Sequence, residues 1–437
     1  MKRAKKGTVP FSARGVAFEL LQAVLRRGRP LDEALAGHAG LARLETRDRG
    51  FARMLTATTL RRLGQIDAVL DRSVTRPLPA RAASVRDLLR LGAAQLLFLG
   101  TPAHAAVDGT VELVARGGPE AAGFKGLANA VLRRIAQEGE GMLAATADPA
   151  VNTPAWLWRS WCAAYGEATA TDIAAAHLGE PPLDLTVKGD AAAWAERLGA
   201  TVLPTGGLRR PLGGAVEDLP GYAEGAWWVQ DAAAALPARL LGPVAGLRVV
   251  DLCAAPGGKT AQLAAAGADV TAVDRSAARL ERLAANLARL HLTARIVAAD
   301  AAQWRPPAPA EAVLLDAPCT ATGTIRRHPD IPWLKTADDL AKLVPLQDRL
   351  LAAAVEMTAP GGVLVYCVCS LQPEEGPQRI AALLAAGAPV APLPIDPAEI
   401  GGLAEAITGT GELRTLPCHL AGLGGLDGFY AARLRRR

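Results

Sequence analysis

From residue 247 onwards the chain alternates short apolar runs with helical stretches. The runs cover 247–252, 269–273, 295–298, 312–315 and 362–368, and helical patterns fill 259–266, 276–290 and 338–357. Strand–helix alternation of this kind implies a parallel, doubly wound sheet, because each crossover must return along one face. In such sheets ligands bind beyond the carboxyl ends of the strands. The residues just after each run are therefore the functional candidates.

After the first run comes Asp251-Leu-Cys-Ala-Ala-Pro-Gly-Gly-Lys259-Thr260. A glycine turn into a helix lets backbone amides approach a carboxylate or phosphate. It is not a P-loop, since Cys253 stands where that motif needs its first glycine, and the G-x-G-x-x-G spacing is absent. Asp274 follows the second run and suits both hydroxyls of a ribose, or the start of the helix near Ser276. Asp300 follows the third and can accept from an adenine amino group or simply close a turn. An amide turn, a ribose acceptor and an amine acceptor suit an adenosyl ligand without phosphates better than a dinucleotide.

The fourth run leads into Asp316-Ala-Pro-Cys319 and then Arg326-Arg327-His328; the fifth leads into Cys369-Ser370. A lone buried cysteine is usually inert core. Two at neighbouring strand ends, facing one crevice, are more informative. Cys367 and Cys369 form a C-x-C, but no further ligand cluster lies nearby, so no metal is expected. Cytosine C5 is a poor nucleophile until a thiolate adds to C6, after which it can attack the methyl of S-adenosylmethionine. That chemistry needs a thiolate in an electropositive setting, here Lys259, Arg326 and Arg327. It also needs a hydrogen-bond or proton donor at cytosine N3 or N4, where Asp316 is placed. A second thiol would help release. The basic loop 326–328 would hold a polynucleotide backbone, with the target base unstacked. Residue types alone leave open which cysteine attacks.

The chain has 437 residues, half of them apolar, which means two or three domains with real cores. Residues 1–140 carry 23 basic and 13 acidic side chains, a net +10, while the remainder is at −5. A basic third on a near-neutral body points to nucleic acid or to a solvated helical surface. This third reads as helices over 16–25, 48–63, 84–99, 105–116 and 124–137, an all-α bundle. The pairs Arg61–Arg62 and Arg133–Arg134 are candidates for phosphate contact or for ordinary helix-end chemistry. Residues 139–155 read as a linker, and 156–245 as mixed, with Trp156, Trp158 and Trp161 more in keeping with core than with base stacking. Six scattered cysteines do not make a disulfide framework, and neither a secretory signal nor an 18-residue apolar span is present. A cytoplasmic protein, monomeric by default and without membrane contact, is expected.

Three segments carry a resemblance. DLCAAPGGKT (251–260), LLDAPCTATGTIRRHPDIPW (314–333) and VYCVCSLQPEEG (365–376) resemble the Sun family of RNA cytosine-5 methyltransferases in order and spacing. RDRGFARMLTATTLRR (47–62) and FKGLANAVLRR (124–134) resemble the NusB-like RNA-binding domain. The resemblance covers nearly the whole chain and is weakest over 160–225. It implies a multidomain protein: an all-α NusB-like bundle (1–140), a linker and small α+β RNA-binding subdomain (141–245), and an α/β Rossmann-like methyltransferase (246–437). It implies Cys369 as nucleophile and Cys319 as the residue assisting product release, with Asp316 and Lys259 beside them. The cofactor would be S-adenosylmethionine, held by Cys253, Ala254, Ala255, Pro256, Gly257, Gly258, Lys259, Asp274, Asp300 and Asp316. The implied substrate is 16S ribosomal RNA, naked or in an assembling small subunit. Alternatives are the same chemistry on transfer RNA or 23S RNA, or a non-catalytic RNA-binding or assembly factor. Two departures stand out: the usual Thr-Cys-Ser reads Val368-Cys369-Ser370 beside the additional Cys367, and the usual Arg-Val-Asn reads Thr186-Val187-Lys188.

Overall fold

The computed structural model describes residues 11–74 and 76–437; residues 1–10 and 75 of the expected first domain lie outside the described residues. The chain divides into two compact units. One runs to Arg159 and takes in His328–Lys335; the other comprises Ser160–Arg327 and Thr336–Arg437.

The first unit is helical: α1 (Ala13–Leu25), α2 (Thr46–Arg61), α3 (Leu63–Ser73), α4 (Ala83–Leu97), α5 (Ala103–Arg116) and α6 (Lys125–Ala144). The Ser12 hydroxyl caps α1 by accepting from Gly15 N at 3.1 Å. Val16, Leu20 and Val24 then recur on one face and are buried with Leu55, Ile66, Leu88 and Leu132. The helix expected over 48–63 is α2; α3 was not expected, and it begins directly after Arg62 with Gly64 inside it. A Cβ on Gly64 would lie 1.9 Å from the Val151 carbonyl oxygen, so the segment around 151 can pack there only against glycine. That segment was expected as linker. Instead α6 continues to Ala144, and Asn152 Oδ1 accepts from Gln65 N at 3.1 Å while Gln65 Nε2 donates to Thr146 O at 2.9 Å. Residues 328–335 also fold here. Trp333 and Leu334 pack on the helical core, Trp333 Nε1 donates to Leu60 O at 2.9 Å, and Asp330 accepts from Leu31 N at 2.9 Å.

The second unit holds two sheets. Before them, α7 (Ala155–Tyr165) carries Trp161, buried at 1% exposure, and α8 (Glu167–His177) follows. The small sheet comprises β1 (Leu183–Val187), β2 (Thr201–Val202), β3 (Leu208–Arg210) and β4 (Trp227–Val229) in the order β2-β3-β1-β4, all antiparallel, with α9 (Ala191–Leu198) against it. The large sheet begins with β5 (Arg248–Leu252), α10 (Gly258–Ala265), β6 (Asp269–Asp274), α11 (Ala277–Arg289), β7 (Arg295–Ala298), β8 (Ala310–Asp316), α12 (Ala337–Met357) and β9 (Thr358–Val368). These five strands are parallel, as the alternation requires. The sheet then closes differently from the expected all-parallel form. After α13 (Pro377–Ala385) come β10 (Val390–Pro392), β11 (Leu413–Thr415) and β12 (Phe429–Arg436), and β12 pairs antiparallel with β9. The order β10-β12-β9-β8-β5-β6-β7 sets β5 and β8 at the centre. Apolar clusters cover both faces, one around Val249, Leu314 and Val365, the other around Val250, Val313 and Leu364.

Candidate active site

Parallel pairing puts the carboxyl ends of β5, β6, β7, β8 and β9 along one edge, and the expected residues fall there. The turn after β5 carries Cys253 at φ +60° and Gly257 at φ +102°. Cys253 thus adopts a conformation that favours glycine. Its thiol is pushed up to about 12 by burial and by nearby Asp316, which keeps it out of thiolate chemistry. Asp274 is buried and shapes the turn as well as the next helix: its carboxylate accepts from Ala255 N at 3.2 Å and Ser276 N at 2.9 Å. Asp300 is exposed and accepts from Ala302 N at 3.0 Å, a turn cap with a face open to a ligand.

Lys259, in the first turn of α10, reaches across to Asp316 at the end of β8, donating to Oδ2 at 2.8 Å. Burial opposes the Lys259 charge, but Asp316 outweighs it, and the ammonium is held above its ordinary range. Its charge also reaches Cys369, and its Nζ lies 5.0 Å from the Phe429 ring centroid. Cys319 and Cys369 meet with their Sγ atoms 3.5 Å apart. The Cys319 thiol is pushed well up, first by its hydrogen bond to Cys369 and then by burial. Cys319 is therefore the thiol that holds its proton, and either sulfur can be the donor in this contact. Cys367, one pleat back on β9, is fully buried and points its thiol at Asp316 Oδ1 at 3.6 Å. Burial and Asp316 push it well up too, so the additional thiol is the less reactive neighbour.

Most of the basic residues expected at the RNA are engaged within the protein. Arg326 is 2% exposed; it donates to Asp231 at 3.1 Å and to the Gly424 carbonyl, with Asp427 at 3.7 Å. Stripping a partner from a buried ion pair costs about 3–5 kcal/mol, against about 0–1 kcal/mol for an exposed one, so Arg326 is held as an internal cation. Arg327 donates to Asp427 at 2.7 Å, and His328 lies 3.3 Å from Asp32 within the helical unit. Arg61 and Arg62 are half-buried, Arg62 lying 5.1 Å from the Phe98 ring centroid. Arg133 and Arg134 are exposed, bonded to Asn129 and Glu138 on their own helix. Thr186 and Lys188 also bond internally, to Gln230 and to the Leu290 carbonyl.

Sequence reasoning missed three contributors. Asp427 and Phe429 lie on either side of Gly428 at the start of the unforeseen β12, and Glu375 sits in a motif quoted only for its cysteine. A glycine-framed Asp-Gly-Phe-Tyr (427–430) before a final apolar run was the available signal.

Residues 238–435 match the model of the 16S rRNA methyltransferase RsmB/F family, and residues 12–137 match the NusB family. The chain is 40% identical to ribosomal RNA small subunit methyltransferase B of Pseudomonas putida, covering 96% of this chain and 97% of that protein. It is 35% identical to the Pasteurella multocida protein of the same name, covering 100% and 98%. The chain belongs to the RsmB/F methyltransferase family. Among solved structures, PH0851 shares the fold over 99% of this chain and 100% of that one (TM-score 0.76, 22% identity). A methyltransferase homologue from Pyrococcus horikoshii covers 64% of this chain and 94% of that one (TM-score 0.53, 28% identity).

S-adenosylmethionine is the cofactor of an RsmB/F enzyme, and the donor set fits it. Three carboxylates (Asp274, Asp300 and Asp316) stand at the ends of three strands around a glycine turn. They suit hydroxyls and amines, and carry the wrong charge for phosphates.

Proposed function

We propose that this enzyme forms 5-methylcytosine in 16S ribosomal RNA through a covalent cysteine–cytosine adduct. The observation that carries this reading is the pair of thiols 3.5 Å apart beside the Lys259–Asp316 ion pair. One thiol is held protonated within reach of the other, which suits a helper beside a nucleophile.

In the reaction, the Cys369 sulfur bonds to cytosine C6 and pushes electron density to C5. Asp316, expected as a donor at N3 or N4, is ion-paired with Lys259 at 2.8 Å and so serves as an acceptor, taking the cytosine amino group and holding the ring against the thiol. S-adenosylmethionine supplies an electrophilic methyl group when bound; Cys253, Ala254, Ala255, Pro256, Gly257, Gly258, Lys259, Asp274, Asp300 and Asp316 are the residues that would hold it. Once C5 carries the methyl group, its proton passes to water, the C5–H electron pair restores the C5–C6 double bond, and the C6–sulfur bond breaks with its electron pair returning to Cys369. Cys319 assists this second half. The base reaches the crevice unstacked. The substrate assignment follows the names of the relatives from Pseudomonas putida and Pasteurella multocida, and the NusB-like helical region supplies the RNA-binding part.

The cysteine variants test the scheme. Cys369→Ala abolishes methylation and leaves no protein–RNA adduct on a denaturing gel. Cys319→Ala accumulates an adduct that survives denaturation. Normal turnover by Cys319→Ala would remove it from the mechanism.

A further inference from the structure

Glu375 lies a few residues beyond Cys369, and it is fully buried. Its Oε1 accepts from Thr320 N at 2.9 Å and from Gln347 Nε2 at 3.0 Å. Its Oε2 accepts from the Thr320 hydroxyl at 2.5 Å and the Ser370 hydroxyl at 2.5 Å. Thr320 directly follows Cys319, and Ser370 directly follows Cys369. One carboxylate thus bonds the residue after each thiol, on loops that leave two different strands. We propose that Glu375 is a positioning residue: its carboxylate ties the two cysteine loops together and sets the thiol–thiol separation that hands the reaction from addition to release.

The chemistry of the side chain is specific. A carboxylate offers acceptors on both oxygens, and here each meets N–H or O–H donors. A carboxamide of the same shape keeps one acceptor oxygen, but its neutral NH2 only donates, so the Thr320 and Ser370 hydroxyls would have to turn round and accept, and both bonds would lose their charge assistance. Glu375→Gln therefore weakens the tie without opening a cavity. An aspartate would be too short to span both loops.

This inference rests on the two-thiol reading of the site, and its test has one arm that does not. Phenylarsine oxide bridges two thiols whose sulfurs lie about as close as these, so its affinity for the Cys319–Cys369 pair reports their separation without any turnover; Cys319→Ala gives the baseline. In the full-length protein, Glu375→Gln is expected to bind phenylarsine oxide at least tenfold more weakly than the wild type. With RNA and S-adenosylmethionine it is expected to accumulate the covalent adduct although both cysteines are present, with kcat reduced and KM for RNA retained. Ser370→Ala removes only one of the bonds; it is expected to shift both readouts in the same direction by a smaller factor, and it serves if Glu375→Gln does not fold. A folded Glu375→Gln, or failing that a Ser370→Ala, with wild-type arsenical affinity overturns the proposal. An absent adduct in Cys319→Ala would instead overturn the two-thiol mechanism, while the arsenical comparison would still decide the role of Glu375.

Discussion

Asp251 illustrates how much a single side chain can cost at this crossing of strands. Its carboxyl is fully buried at the end of β5, one oxygen accepting from the Thr260 hydroxyl at 2.6 Å. Burial pushes its pKa up to about 7. Between the ordinary carboxylate range, about 4, and that value, the folded protein binds a proton that the unfolded chain has lost. Stability from this residue is therefore complete in acid and drains away as pH rises through 7, by on the order of 4 kcal/mol at most. Asp251→Asn keeps the acceptor for Thr260 and removes the titration. Its thermal midpoint is expected to fall less than that of the wild type between pH 5 and pH 8; parallel declines would show that Asp251 does not titrate there. At this scale much of the site was legible. Lys259, Asp316, Cys319 and Cys369 lie where a strand end delivers a side chain to the crevice, which strand–helix alternation locates. Arg326 was not legible as a buried cation, because its partners Asp231 and Asp427 lie far away in sequence and only folding joins them.

Among the elements, helices and parallel strands followed from periodicity, and the disagreements have physical causes. β12 begins with Phe429 and ends in arginines, and nothing local says that it lies against β9; that pairing is a tertiary choice. The expected helices included 48–63 but nothing over 63–73, where α3 lies. Gly64 is a helical residue of α3, required for close packing against 151. Gly64→Ala places a methyl group against a carbonyl that cannot yield easily, for a cost of about 1–3 kcal/mol. Because the two units need not unfold together, global denaturation is the wrong probe. Hydrogen exchange in α3 is the right one, with amides expected to exchange roughly 5–150-fold faster. Unchanged protection would mean that the 149–152 segment moves aside at no cost.

For the molecule as a whole, charge asymmetry was the first hint of RNA, and the structure sorts its contributors. Arg62 is half-buried, with burial lowering its pKa, and bonds Gln65 at 3.1 Å; Arg133 is exposed on α6. Arg133→Ala is expected to weaken RNA binding and to reduce the slope of log K against log salt by about 1. Arg62→Ala is expected to lower stability with that slope unchanged. Equal slopes for wild type and Arg133→Ala would remove Arg133 from the phosphate contacts. Point variants serve better than deleting residues 1–140, because Trp333 and Leu334 depend on that helical core.

The reaction itself is read by methyl transfer from labelled S-adenosylmethionine to deproteinised 16S RNA lacking its own modifications, followed by nucleoside analysis. Labelled 5-methylcytosine is the expected product. No label on any RNA while the cofactor still binds would point to a particle substrate or to the non-catalytic reading; label confined to transfer RNA or 23S RNA would contradict 16S RNA cytosine methylation by this chain.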